Sequence, residues 1–187
     1  MKPELCLGTA QFGMNYGITN LHGKVPAETT RAILEAAAGS GISYIDTAQA
    51  YGDSERVLGS VMPLNHELRI ISKLAAQSQP VYQQVDMENW ENSFQASLRQ
   101  LGVRRLDSFL LHHPADLTKP GGEYLLQWLI SLQERQLVER LGISAYDTWE
   151  LRGIDLNLIR IVQVPLSLYD QRMLRDGTIA KLHDQGI

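Results

Sequence analysis

Tyr44-Ile45-Asp46-Thr47-Ala48-Gln49-Ala50-Tyr51-Gly52-Asp53-Ser54-Glu55-Arg56-Val57-Leu58-Gly59 is the stretch on which the reading of this chain turns. An apolar strand gives way there to a helix, with an aspartate and a tyrosine at the junction. Side chains alternate along a strand, so Asp46 shares a face with Tyr44 while Ile45 takes the other. Asp46 comes last before the loop, where a carboxylate can enter a pocket instead of a packed layer. Loops after the carboxyl ends of parallel barrel strands line such pockets. Gly52 permits a tight turn, and Asp53 or Ser54 can cap a helix over Ser54–Met62.

Working outward, apolar runs alternate with helical patterns, which predicts parallel strands joined by crossover helices. The expected strands are Leu5–Thr9, Ile42–Asp46, Arg69–Lys73, Leu106–His112, Glu139–Ser144 and Ile159–Pro165. Trp90, Phe94, Leu98 and Leu101 recur at near-helical spacing, as do Leu125, Trp128, Leu129 and Leu132. Those tryptophans are read as helix-to-barrel packing. Gly41-Ile42, Gly102-Val103 and Gly186-Ile187 each place a glycine where a helix should end and an apolar residue next. The fold class expected is α/β, a (β/α)8 TIM-barrel type that is incomplete, with about six β/α units in one domain over residues 1–187. A closed barrel of that type needs about 250 residues, and this sequence ends where a seventh strand is expected.

With 17 basic and 21 acidic residues, the chain offers no electrostatic footprint for nucleic acid. A single cysteine excludes an internal disulfide and a multi-cysteine metal site, and Cys6, in an apolar run, is read as a buried thiol. The first apolar run is too short for a signal peptide and no later window is long enough for a membrane span. The expectation is a cytoplasmic protein with no membrane partner.

Lys73 ends the third expected strand, and His112 ends the fourth, followed by His113 and Pro114. Each candidate has a structural reading when taken alone. Asp46 can bond its own backbone, Tyr51 can pack, Lys73 can snorkel and His112 can be a satisfied structural group. Three successive strands delivering polar residues to one end is the coincidence that singles them out. A metal-dependent hydrolase built on Asp46, His112 and His113 is a further reading. Neighbours on a strand diverge, however, and His22, His66 and His183 fall in loop or helix segments.

In order and local context, Asp46, Tyr51, Lys73 and His112 resemble the catalytic tetrad of the aldo-keto reductase family. The contexts are Asp-Thr-Ala before Tyr-Gly, Ser-Glu and Leu-Gly, then Ile-Ser-Lys, then Leu-Asp-Ser-Phe-Leu-Leu-His-His-Pro. Leu141-Gly142-Ile143-Ser144 resembles the fifth-strand segment of that family, Val162-Gln163-Val164 the sixth, and Gly8-Thr9 the turn after the first. The resemblance implies an NADP(H) cofactor, with NAD(H) as the alternative, and a small-molecule aldehyde or ketone reduced to an alcohol. It implies that Tyr51 donates the proton, that Asp46 holds Lys73, and that His112 orients the carbonyl.

A free tyrosine titrates near ~10, and Lys73 is expected to lower that value by stabilising tyrosinate. Ser144 and Gln163 are implied at the nicotinamide carboxamide and Thr9 near its ribose. The long loop Gln11–Pro26, with Tyr16, and the adjacent His113 are expected to meet substrate. Two positions depart from the family pattern: Ala145 stands where asparagine is common, and His113 where tryptophan is. The floor hairpin of many relatives has no room before Leu5. With the last units of the barrel missing, the expectation is a truncated, weakly active form, or a homodimer through the open barrel edges. A non-catalytic binding subunit on the same barrel is the alternative function.

Overall fold

Inner and outer faces of one curled sheet divide this molecule. The computed structural model describes residues 4–63 and 67–187. Six parallel strands run in sequence order: β1 Cys6–Gly8, β2 Tyr44–Asp46, β3 Arg69–Leu74, β4 Leu106–Leu111, β5 Val138–Ser144 and β6 Ile161–Gln163. Each expected strand is present, most of them shorter than the apolar run that announces it. Helices α1 Ala10–Gly13, α2 Ala27–Gly39, α3 Ser54–Val61, α4 Asp86–Leu101, α5 Gly122–Glu134, α6 Arg172–Arg175 and α7 Thr178–Asp184 cover the connections. The result is a curled half-barrel of α/β type whose edge strands are β1 and β6.

Register decides which side chains share a face. Gly8 pairs with Asp46, Asp46 with Ile71, Lys73 with Leu110, Leu110 with Gly142, and Ser144 with Gln163. Because strand side chains alternate, these residues line the concave side. The intervening residues Ile45, Ile70, Phe109, Leu111 and Ile143 belong to the hydrophobic core beneath the helices. Opposite them, Leu34, Leu58, Phe94, Leu101 and Trp128 supply the apolar stripes of α2 to α5. Trp90 and Trp128 are both 2 % exposed, as helix-to-sheet packing requires. Phe94 and Phe109 meet edge to face at 5.0 Å, an aromatic contact that adds about 0.5–1.5 kcal/mol beyond burial.

Glycine caps end the helices as their spacing predicts. Gly102 closes α4 in the left-handed region, at φ 69°, and its N–H bonds back to Leu98 and Arg99. The thiol reverses its expectation. Cys6 is exposed, because it pairs with Tyr44 and so faces the concave side, which no helix among the described residues covers. Water reaches this thiol, yet the surrounding protein disfavours a thiolate and pushes its pKa up to about 11. No helix among the described residues is long and apolar enough to cross a membrane.

Candidate active site

Four side chains meet where β2, β3 and β4 end. Lys73, wholly buried, donates from its ammonium to Asp46 Oδ1 at 2.6 Å, to the Thr47 carbonyl at 3.1 Å and to the Tyr51 hydroxyl at 3.4 Å. Three N–H donors thus find three acceptors, which is the full capacity of an ammonium group. Burial still costs the charge, and it lowers the Lys73 pKa against the opposing pull of Asp46. His112 lies edge-on to Tyr51, ring centres 5.7 Å apart. Its pKa is lowered by burial first and by Lys73 second, so the imidazole is neutral at neutral pH.

Tyr51 departs from the expected titration. Its pKa is pushed up to about 12, by burial first and then by the charge of Asp46. Burial disfavours the tyrosinate, and the Asp46 carboxylate, 2.6 Å from the ammonium that stands 3.4 Å from the phenol, adds its repulsion. The resting site therefore holds a protonated phenol well beyond neutral pH.

Tyr51 is fixed by a close backbone approach. A Cβ on Gly13 would lie 1.7 Å from the Tyr51 carbonyl oxygen, and one on Gly52, at φ +57°, would lie 2.6 Å from the Gly13 oxygen. The two glycines let the loop after β1 lie against the loop after β2. Lys24 then bonds Asp53 across the same junction at 2.8 Å.

Two clefts flank Tyr51. One, of about 220 Å³, is lined by Ser144, Ala145, Tyr146 and Gln163. The other, of about 320 Å³, is lined by Gln11, Tyr16, Asp46 and Thr9. Ser144, Gln163 and Tyr16 are thus brought to the tyrosine. Thr9 stands in the wall of that second cleft with its side chain fully buried, its hydroxyl donating to the Asp46 carbonyl at 2.9 Å. The half-exposed ring of His113 turns toward the buried Asp116, with Nδ1 3.6 Å from the carboxylate, and lines neither cleft. Among the described residues, no three His, Cys, Asp or Glu side chains gather to hold a metal ion, and His66 lies outside those residues.

The model of the aldo/keto reductase family matches residues 4–187 of this sequence. The chain belongs to that family. Among its curated relatives, an aldo-keto reductase of Mycolicibacterium vanbaalenii is 31% identical over 134 residues, 68% of this chain and 44% of that protein. Human aflatoxin B1 aldehyde reductase member 4 is 31% identical over 156 residues, 82% of this chain and 44% of that protein. The aligned part of this chain therefore spans less than half the length of either relative. The aldo-keto reductase of Klebsiella pneumoniae in complex with NADPH shares the fold, with TM-score 0.74 and 22% identity over 99% of this chain and 61% of that one. PA4992 of Pseudomonas aeruginosa gives TM-score 0.74 and 25% identity, over 95% of this chain and 69% of that one.

Within this aldo-keto reductase chain, several wall residues escape a reading of the sequence alone. Ser54 was expected as a cap candidate, but neither it nor Asp53 makes a side-chain cap to α3. Ser54 points inward to Thr9 and Thr47, and Asp53 pairs with Lys24 and Arg56. Behind β3, Ser72 donates to the buried Glu55 at 2.6 Å, and burial raises that carboxyl's pKa. The Ser-Glu pair after Tyr51 is the one local signal that could have drawn attention to both.

Proposed function

We propose that this chain carries the proton-transfer half of an NAD(P)H-dependent oxidoreductase that reduces an aldehyde or ketone to an alcohol. The observation that carries this reading is the buried Lys73 ammonium, shared between Asp46, Thr47 and the phenol of Tyr51. A buried lysine bonded to a tyrosine suits a proton donor that must become tyrosinate briefly, because the ammonium can follow the charge as it forms. Tyr51 holds its proton at rest, its pKa standing near 12. Asp46 keeps Lys73 charged in a buried place. The neutral His112, edge-on to Tyr51, is placed to orient a carbonyl and donate to its oxygen as charge develops.

Residues for the cofactor fit as well. Ser144 and Gln163 are register partners on β5 and β6, in the wall of the cleft beside Tyr51. A hydroxyl and an amide side by side match the donors and acceptors of a nicotinamide carboxamide. A reduced nicotinamide supplies hydride when bound. The protein's own share is to hold the carbonyl carbon toward that cleft and to deliver the Tyr51 proton to oxygen. The NADPH complex of the Klebsiella neighbour and the aldehyde reductase name of the human relative favour this cofactor and substrate class.

For this 187-residue chain by itself the proposed activity is weak, and a homodimer is proposed to cover the concave side. The open edges of β1 and β6 and the exposed Cys6 thiol favour that second copy. The test is an NADPH titration followed by tryptophan fluorescence and calorimetry, with sedimentation run in parallel. Saturable binding with carbonyl-dependent oxidation supports the reductase. Binding without turnover of any aldehyde or ketone would leave a non-catalytic binding subunit. A monomer at every concentration would sink the dimer.

A further inference from the structure

Beneath the Lys73 cluster runs a line of three hydroxyls, all fully buried: Thr47, Ser54 and Thr9. Thr47 Oγ1 donates to Ser54 Oγ at 3.1 Å. Ser54 Oγ donates onward to Thr9, with the hydroxyl at 2.8 Å and the carbonyl at 3.0 Å as its alternatives. Thr9 Oγ1 donates to the Asp46 carbonyl at 2.9 Å. The line therefore begins on the Thr47 hydroxyl and ends on the Asp46 main-chain carbonyl, in the two adjacent residues whose other oxygens, the Thr47 carbonyl and the Asp46 carboxylate, accept from the Lys73 ammonium.

Ser54 is the middle link and the first residue of α3. It ties the helix to the segments that follow β1 and β2, accepting from the Thr47 hydroxyl and donating to Thr9. Helix α3 starts without a side-chain cap, although a serine and an aspartate stand at its start. The serine has been diverted to the strand ends, which is unexpected for a residue type that ordinarily caps.

We propose that Ser54 is a positioning residue: through the Thr47 hydroxyl, and through Thr9 to the Asp46 main chain, it fixes the two residues whose carbonyl and carboxylate seat the Lys73 ammonium beside Tyr51. This deepens the reductase reading and rests on it for its functional meaning. The groups that face the ammonium and the phenol from all sides are Asp46, His112, Cys6, Tyr16 and Tyr146. Ser54 contributes no charge among them. It sets distances.

The test needs no turnover, so a failed reductase reading and a failed positioning reading give different results. In the 187-residue chain labelled with ¹⁵N-lysine, the exchange rate of the Lys73 ammonium protons is measured, with Lys73→Met assigning the signal. In the wild type these protons should exchange far more slowly than those of exposed lysines. In Ser54→Ala they should exchange about tenfold faster, the effect of leaving one buried hydrogen-bond group unpaired, while backbone amides of β3 and β4 keep their protection. Thr47→Val should reproduce the effect, and the double variant should add nothing to either single one.

Ser60→Ala, in the same helix with its hydroxyl on the Val57 carbonyl, should leave the rate unchanged. An unchanged ammonium in both Ser54→Ala and Thr47→Val would overturn the proposal. So would β-strand amides that lose protection in step with it, or loss of the fold in both variants, since each makes the hydroxyl line structural only.

Discussion

At the amino ends of the strands Tyr44 accepts hydrogen bonds from Arg69 at 2.6 Å and Arg140 at 3.4 Å, while at the carboxyl ends Tyr51 accepts one from Lys73 at 3.4 Å. Both tyrosines also have a cation against the ring, Arg69 at 4.7 Å from the Tyr44 centroid and Lys73 at 5.0 Å from that of Tyr51. Both clusters contain a carboxylate, Asp107 paired with Arg140 and Asp46 paired with Lys73. The kinds of group are the same, and the physics is not. A guanidinium stays charged at any accessible pH and ties the floor together as a fixed plug. An ammonium can shift its pKa, and Lys73, taken out of water, does. Burial and the choice of lysine over arginine separate the site proposed for proton transfer from a structural contact of similar shape.

Removing the cation should separate the two ends most strongly. Lys73→Met leaves the Asp46 carboxylate buried without its partner and should cost about 3–5 kcal/mol in urea unfolding. Arg69→Gln, at an exposed position, should stay within about 0.5 kcal/mol. Equal losses would erase the distinction.

The tyrosines give the next contrast. In any form of the protein that turns over, Tyr51→Phe should lower carbonyl reduction by at least ~100-fold with NADPH affinity nearly unchanged, while Tyr44→Phe leaves the rate within about a factor of two. Comparable rates in the Tyr51 variant would remove it as the proton donor.

A pH titration sharpens the same point more gently. The Tyr51 pKa is raised from 10.0 to about 12, so the folded state keeps a proton that the unfolded chain gives up. That contribution to stability is fully present below pH 10 and is lost as the pH rises through about 12. Unfolding free energy should therefore fall across that window in the wild type and fall less steeply in Tyr51→Phe. The smallest effect concerns the concave side itself. Iodoacetamide should label Cys6 in the native chain without denaturant, slowly, because its thiol is held near pKa 11. Protection that grows with protein concentration would reveal the second copy.

Much of this architecture could be read from local pattern. Alternation along Tyr44-Ile45-Asp46 places the carboxylate and the core isoleucine on opposite faces, and the helical spacing of Trp90, Phe94 and Leu101 identifies a buried stripe. The ends of β2 and β3 carry Asp46 and Lys73, with His112 just past β4, so their convergence follows once the strands are parallel and in order. Other features were out of reach. Cys6 looked buried because its neighbours in sequence are apolar, whereas its exposure depends on whether anything covers the inner face. The approach of the His113 ring to Asp116, three residues on, is likewise invisible in the sequence.

The sequence by itself determined the α/β class, the order of the strands and the residue types gathered at their carboxyl ends, because periodicity and chain order are local properties. Only the tertiary structure decided how those residues act on one another. Whether Lys73 lowers the Tyr51 pKa, which group the Thr9 hydroxyl bonds and whether Ser54 caps a helix all depend on distances of a few tenths of an ångström between distant parts of the chain. Electrostatic coupling and hydrogen bonding change steeply over such distances, and no pattern in the sequence encodes them.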